Sequence, residues 1–191
     1  MIKRLCKIVV AVLLAGSLTA ASNDRFPEKQ DCVAIFDFLV LLAAPGCDQN
    51  NSTQTRPNKI DAGINLLVTE GFVTTGAFDA IETHFCPLTN GLGLTPSATS
   101  IYLDDGLAQA SDDTVAEVLY NEVQHIRQIR EMGSQTFKCA YIESLIACNG
   151  CTDHGHTLEA LAYAAQARVR DALLNRWLEK NAASQQPQSG D

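Results

Sequence analysis

The sequence is short of basic residues and contains no internal repeats. Over 191 residues it has 14 Lys and Arg against 22 Asp and Glu, which gives a formal net charge of −8 at pH 7. Because no run of basic residues is available to neutralise phosphate groups, the composition argues against nucleic acid as a partner. The apolar fraction, 46%, is too high for an intrinsically disordered chain. A single domain with its own hydrophobic core is therefore expected.

The apolar run near the start of the sequence is too short to span a membrane. Residues 8–16 are apolar, about half of the ~20 residues that a transmembrane helix needs. Three basic residues precede this run and small residues follow it at 17–21, the order found in secretory signal peptides. We therefore predict that residues 1–21 are a signal peptide. The mature protein is then exported, to the periplasm or outside the cell, with no membrane span. An uncleaved anchor is the alternative.

The cysteines that remain after removal of the signal peptide are even in number. In an exported chain this predicts up to three disulfides, for which the sequence leaves fifteen pairings open. The candidates are Cys32, Cys47, Cys86, Cys139, Cys148 and Cys151. A direct bond between Cys139 and Cys148 is disfavoured, because a continuous helix between them would hold their sulfur atoms beyond disulfide reach.

Helical spacing of apolar residues dominates the mature chain. The pattern predicts helices over residues 31–44, 60–70, 111–132, 136–147 and 157–180, a strand over 99–103, and a loop over 86–98. The expected fold class is therefore mainly α, within α+β, with a short strand or small sheet before the central helix. We expect residues 22–98 to form the helical N-terminal part of the same domain, 99–180 its core, and 181–191 a disordered tail.

One carboxylate lies on the apolar face of the predicted helix over 111–132. Glu122 is in the middle of a stripe formed by Val115, Val118, Leu119, Ile126 and Ile129. An uncompensated buried charge costs several kcal/mol or raises the pKa of the group. Glu122 is therefore expected to face a cation, a metal-bound water or a solvent-filled cleft. A buried ion pair or a hydrogen-bonded core acid, with Arg127 or Arg168 as a possible partner, is the structural alternative.

Residues 121–125 read Asn-Glu-Val-Gln-His, which resembles the HExxH motif of zincin metallopeptidases with Asn121 in place of the first histidine. In that motif, ligands at i and i+4 share a helix face and bind one zinc ion, and the glutamate is general base to the zinc-bound water. In Glu-zincins a glutamate on a later helix is the third ligand. The resemblance implies Glu122 as the base, and His125, Glu159 and Asn121 at the ligand positions.

The stretch from about residue 99 to 167 is similar to the zincin-like domain often found near bacterial extracellular contractile injection systems. That family has a short strand, a helix with HExxH followed by Gln, a middle helix with Phe and Tyr, and an LExxA segment. The matching residues here are Gln128, Phe137, Tyr141, Leu158, Glu159 and Ala162. The resemblance implies a zincin-like helical core with a zinc cleft, and this chain departs from the pattern at Asn121.

Asparagine offers zinc a neutral amide oxygen, which is a weaker donor than an imidazole nitrogen. Without firmly held zinc, Glu122 has no activated water to deprotonate. We therefore expect an exported, degenerate metallopeptidase-like protein that lacks ordinary peptidase activity and acts by binding a peptide or protein. An active zinc hydrolase with an altered ligand set is the alternative.

Other residues offer two further interpretations. Asp153, His154, His156 or His84 could complete an altered zinc site, although a solvated loop is favoured for His154 and His156. Cys148 and Cys151 form a C-x-x-C pair, which in another context indicates thiol–disulfide chemistry or, with these histidines, a small metal site. Because no βαβ pattern precedes the pair, a structural disulfide is favoured.

Overall fold

The computed structural model describes residues 29–47, 57–151 and 155–184. Its elements are α1 (Lys29–Ala43), α2 (Pro57–Thr69), β1 (Glu82–Cys86), β2 (Gly93–Ser97), β3 (Ser100–Asp104), a 3₁₀ helix (Asp105–Gln109), α3 (Asp112–Met132), α4 (Ser134–Ala147) and α5 (Thr157–Ser184). The fold class expected from the sequence, mainly α with a small sheet before the central helix, is confirmed. The signal peptide predicted over 1–21 lies outside the described residues. The disordered tail predicted over 181–191 is wrong for residues 181–184, which continue the helix α5, and the rest of it lies outside the described residues.

The central helix α3 has clear local signals at both ends. The Ser111 side chain accepts a hydrogen bond from the Thr114 backbone N–H, and two acidic residues occupy the first turn, where they suit the helix dipole. Gly133 ends the helix at a φ of 80°, which glycine adopts without steric cost, and its N–H donates to the Ile129 carbonyl. These signals are local, which explains why the predicted and observed bounds of α3 agree.

The sheet has the strand order β1-β3-β2, with β1 parallel and β2 antiparallel to β3. The prediction of a loop over 86–98 is wrong for residues 93–97, which form β2. This strand contains Gly93 and Pro96, both unfavourable in strands, but Pro is tolerated on an edge strand such as β2. Pairing with β3 therefore outweighs the local propensity.

The main hydrophobic core lies between α2, α3, α5 and the sheet. Its most buried side chains are Leu67, Ile101, Leu103, Val115, Leu119, Ile126 and Val169. Helix α2 approaches α3 closely at Gly63, where an added Cβ would lie 3.0 Å from Val115 Cγ1. A second cluster joins α1 to α4 and includes Phe36, Phe137 and Ile142.

Three disulfides are present among the described residues, as the even cysteine count predicted. They join Cys32 to Cys139, Cys47 to Cys86, and Cys148 to Cys151. The first links α1 to α4, and the second links the segment after α1 to the end of β1. Cys139 and Cys148 are not bonded to each other, which confirms that prediction. Within the described ranges, no helix has the length and apolar character needed to cross a bilayer.

Candidate functional site

A cavity of about 350 Å³ lies where α1, the β2 edge strand, α3, α4 and α5 meet. This volume falls within the range of small-molecule sites. Apolar side chains of α1, with Leu92 and Leu94, form much of its wall. The polar residues on its surface are Thr89, Asn90, Thr95, Asn121, Glu122, His125, Tyr141, Glu159, Tyr163 and Gln166. All four site residues expected from the zincin resemblance, Asn121, Glu122, His125 and Glu159, therefore line one cavity.

Glu122 is buried, with 5% of its surface exposed, as its place on the apolar stripe indicates. The Thr95 hydroxyl on β2 donates to Glu122 Oε2 at 2.8 Å. Burial raises the pKa of Glu122 to about 7, against the opposing effects of the His125 charge and the Thr95 hydrogen bond. Glu122 is therefore a hydrogen-bonded core acid, as the structural alternative allowed, but neither arginine is its partner. Arg127 contacts Gln124 and the Tyr120 ring, and Arg168 is exposed.

Gly93 allows the β2 backbone to lie directly against Glu122. A Cβ at residue 93 would collide with the Oε1, Cδ and Cγ atoms of Glu122. The absence of a side chain is therefore what makes room for the carboxylate between β2 and α3. This requirement is one of space, since Gly93 is an ordinary strand residue in the sheet.

His125 and Glu159 form a buried ion pair, with His125 Nε2 3.5 Å from Glu159 Oε2. Burial alone would lower the pKa of His125, but the hydrogen bond to Glu159 and the charges of Glu122 and Glu159 raise it to about 9. Burial likewise works against ionised Glu159, yet His125 and the Tyr141 hydrogen bond hold the pKa of Glu159 below its ordinary value. Both members of the pair are therefore charged at neutral pH.

Side chains around the ion pair fix its geometry. Tyr141 donates its hydroxyl hydrogen to Glu159 Oε1 at 2.8 Å, and burial, followed by the Glu159 charge, raises the pKa of Tyr141 well above its ordinary value. Gln128 contacts His125 Nδ1 through its Oε1 at 2.9 Å and donates from Nε2 to the Leu158 carbonyl at 3.1 Å. The glutamine thus joins the central helix α3 to the start of α5, where Glu159 lies.

Asn121 donates from Nδ2 to Gln166 Oε1 at 3.2 Å and is buried beside the pocket. The donor set expected for zinc therefore has two strong ligands, His125 and Glu159, and one neutral amide oxygen, that of Asn121. His125 and Glu159 form an ion pair with each other. Across the described part of the chain, no three His, Cys, Asp or Glu side chains group closely enough to hold a metal ion. A catalytic zinc site uses three strong protein ligands, so this donor set does not fit tight zinc binding.

The expectation of a solvated loop is wrong for His156, which is fully buried. Its Nε2 donates to the Tyr141 carbonyl at 3.0 Å, and its Nδ1 accepts from the Glu159 backbone N–H at 3.5 Å. Burial lowers the pKa of His156, as suits a neutral ring with one donor and one acceptor nitrogen. His156 caps α5 and positions Tyr141 and Glu159 without lining the pocket. Asp153 and His154 lie outside the described residues.

His84 does not extend the site, because it lies on β1 with its Nε2 3.8 Å from Glu82 Oε2 and is not part of the pocket wall. Cys148 and Cys151 form a short disulfide bridge at the C-terminal end of α4. The negative end of a helix dipole disfavours a thiolate, whereas reactive C-x-x-C cysteines use the positive end. This position suits a structural bridge.

Sequence reasoning missed Thr95, Gln166 and Gly93 as site residues. Thr95 and Gly93 fall in the stretch predicted as loop, so no periodic pattern placed them against α3. Gln166 faces Asn121 only because α5 crosses α3 at that point. Nothing in the local sequence around these residues signals such contacts.

A scan against protein-family models, a search of curated proteins and a search of solved structures each found no match to this chain.

Proposed function

We propose that this protein is a zincin-type domain without ordinary peptidase activity, and that it acts by binding a ligand in the pocket beside Glu122. The observation that carries the proposal is the set of contacts made by the HExxH-like residues. His125 pairs with Glu159, and Asn121 pairs with Gln166, so the positions of the three ligands are taken up by contacts within the protein.

The His125–Glu159 pair opposes zinc binding on energetic grounds. Zinc requires a neutral imidazole and an accessible carboxylate oxygen, so it must displace the proton on His125 and break the pair. With a third strong ligand that cost is offset by a further coordination bond. Asn121 contributes only an amide oxygen, and using it also disturbs the contact with Gln166.

Contacts within the protein hold the cavity walls together. Helices α3 and α5 pack through buried apolar residues such as Ala165 and Val169, and the disulfides hold α1 over the other side. Three disulfides among the described residues fit an oxidising compartment, which agrees with the expected export. A pocket that persists without catalysis is suited to binding, and a peptide or protein is the partner expected from the zincin resemblance.

An active zinc hydrolase is the second candidate, and two observations favour it. His125 and Glu159 present donor atoms 3.5 Å apart to the same cavity. Burial also brings the pKa of Glu122 to about 7, close to the value that suits a general base at neutral pH.

The zinc content and peptide hydrolysis of the mature protein separate the two candidates. The proposal expects less than one bound zinc per chain after dialysis and no hydrolysis of a mixed peptide library. Glu122→Gln should behave like the unmutated protein, and Glu131→Gln, at an exposed position on the same helix, is the matched control. The hydrolase would be established instead by one bound zinc per chain and by peptide hydrolysis that is lost in Glu122→Gln and retained in Glu131→Gln.

A further inference from the structure

The pocket combines apolar walls with an acidic floor. Phe36, Leu39 and Val40 of α1 contribute to the wall on one side, and Leu94 and Val118 contribute from β2 and α3. Glu122, Glu159 and His125 line the same pocket from α3 and α5, and we call these three residues the acidic floor. A ligand that fills this space must therefore be largely apolar and must also meet these polar groups.

The floor carries more acid than base. It has two carboxylates against one imidazole, and no Lys or Arg from the described residues lines the cavity. Both oxygens of Glu159 already have partners, in His125 and Tyr141. This leaves Glu122 as the acid that a ligand can address.

Among the described residues, only one of the two Glu122 carboxylate oxygens receives a hydrogen bond, and the other, Oε1, lies against Gly93 in the pocket wall. Thr95 donates to Oε2, whereas no described residue donates a hydrogen bond to Oε1. A carboxylate oxygen beside an apolar cavity gains most from a positively charged N–H donor.

We propose that the pocket binds a primary ammonium group attached to an apolar body, with the ammonium beside Glu122 and the hydrocarbon part against α1 and β2. This inference rests on the proposed binding function, since it names the ligand class for the same cavity. A cavity of about 350 Å³ suits a body the size of a phenylalkyl group. Two sources carry this chemistry: a free alkyl or arylalkyl amine, and the amino terminus of a peptide with an apolar first residue.

Calorimetric titration of the full mature protein in EDTA tests the inference. The probes are 2-phenylethylamine, its neutral analogue 2-phenylethanol, and a short peptide with an N-terminal phenylalanine. EDTA removes metal, so that the amine cannot bind by coordination. We expect the amine to bind about tenfold more tightly than the alcohol, the selectivity that one charge-assisted hydrogen bond gives. If the peptide binds more tightly than the amine, the natural ligand is a peptide amino terminus. If the amine binds more tightly than the peptide, the natural ligand is a free amine.

Two variants and a matched control, Glu131→Gln, locate the binding. Glu122→Gln keeps the shape of the side chain and its contact with Thr95, and should reduce the preference for amine over alcohol to about twofold or less. Glu131→Gln should leave the preference unchanged. Val40→Phe narrows the cavity from the α1 side and should weaken the amine and the alcohol equally, with circular dichroism melts to show that each variant folds.

Equal affinities for amine and alcohol in the unmutated protein, or an unchanged preference in Glu122→Gln, would overturn the inference. Neither result bears on the zinc and hydrolysis measurements, which test the proposed function separately. Conversely, tight zinc binding together with peptide hydrolysis would overturn the proposed function. The amine preference would still be testable in that case, because it is measured in EDTA on the metal-free pocket.

Discussion

At the scale of single residues, the site holds three ionisable groups where burial would normally exclude them. Isolated buried charges cost several kcal/mol each, so they persist only where partners offset the cost. For Glu159 and His125 the cost of burial is offset by their ion pair and by the hydrogen bonds of Tyr141 and Gln128. For Glu122 the cost is offset only in part, by the hydrogen bond from Thr95, and burial therefore raises its pKa to about 7, well above the ordinary range for a carboxyl group.

The free energy of unfolding of the metal-free protein should fall as the pH rises from about 5 to about 9, most clearly above 6.5, because the lowered pKa of His156 acts in the opposite direction below that pH. The pKa of His125 is raised from 6.5 to about 9, so its stabilising effect is complete below 6.5 and is lost as the pH passes 9. The pKa of Glu122 is raised from 4.5 to about 7, so the cost of ionising it develops between those values. Each effect should amount to about 1–3 kcal/mol.

Urea unfolding across this pH range in EDTA measures the change. In Glu122→Gln the part of the fall that Glu122 causes between about pH 5 and pH 7 should be absent. The fall at higher pH belongs to His125 and should remain but be smaller, because the Glu122 charge no longer helps to raise the pKa of His125. A stability that rises with pH over this range, or a Glu122→Gln profile identical to that of the unmutated protein, would contradict these charge assignments.

Replacing Gly93 by alanine should destabilise the protein by about 1–3 kcal/mol, because the added methyl group collides with the Glu122 carboxylate. In a Glu122→Ala background, where that space is vacated, the same replacement should cost much less. Urea unfolding of the two single variants and the double variant forms a double-mutant cycle. Costs that simply add would show that Gly93 and Glu122 do not press against each other.

At the scale of elements, helix α1 closes one side of the pocket and is fixed by covalent bonds. Cys32–Cys139 ties it to α4, and Cys47–Cys86 ties the segment that follows it to β1. Its remaining polar anchors include the Asp37–Lys138 ion pair and the hydrogen bond from the Thr89 backbone N–H to the Ala43 carbonyl. Phe38 and Leu41 are more than half exposed, so α1 buries only part of its apolar surface.

Removing the Cys32–Cys139 bond by a double replacement with serine should lower the free energy of unfolding by about 2–4 kcal/mol. The matched control is the same replacement of Cys148 and Cys151. Because the chain-entropy effect grows with the length of the closed loop, a sequence separation of 107 should stabilise more than one of 3. Urea unfolding measures both, and an equal or larger loss for the Cys148–Cys151 pair would contradict the role given to α1.

At the scale of the whole molecule, the sequence was sufficient for those features that depend on local pattern. The apolar period of α3 placed Glu122 inside, and the Ser111 and Gly133 signals placed the ends of that helix. The even cysteine count predicted disulfides but left their pairing open. Pairing depends on which helices lie side by side, and that is settled by tertiary packing.

Features that depend on contacts between distant segments could not be read in advance. Strand β2 has unfavourable local propensity and forms because it pairs with β3. The sequence therefore did not identify Thr95 and Gly93 as residues of the site. The burial of His156 depends on the Tyr141 ring, whose centroid lies 4.3 Å from that of the imidazole. A histidine before a helix has no local signature that separates a buried cap from a solvated loop.

The central claim is that Asn121 is what separates this site from a zinc centre. Calorimetric titration of zinc into the unmutated protein and into Asn121→His tests it directly, with Gln124→His, elsewhere on α3, as the control for adding a histidine. Loss of even an outer contact costs 10–100-fold in metal affinity, so restoring a ligand should raise the affinity by at least about 100-fold. The account predicts weak binding by the unmutated protein and by Gln124→His, and one tightly bound zinc in Asn121→His. Equal affinities for the unmutated protein and Asn121→His would contradict it.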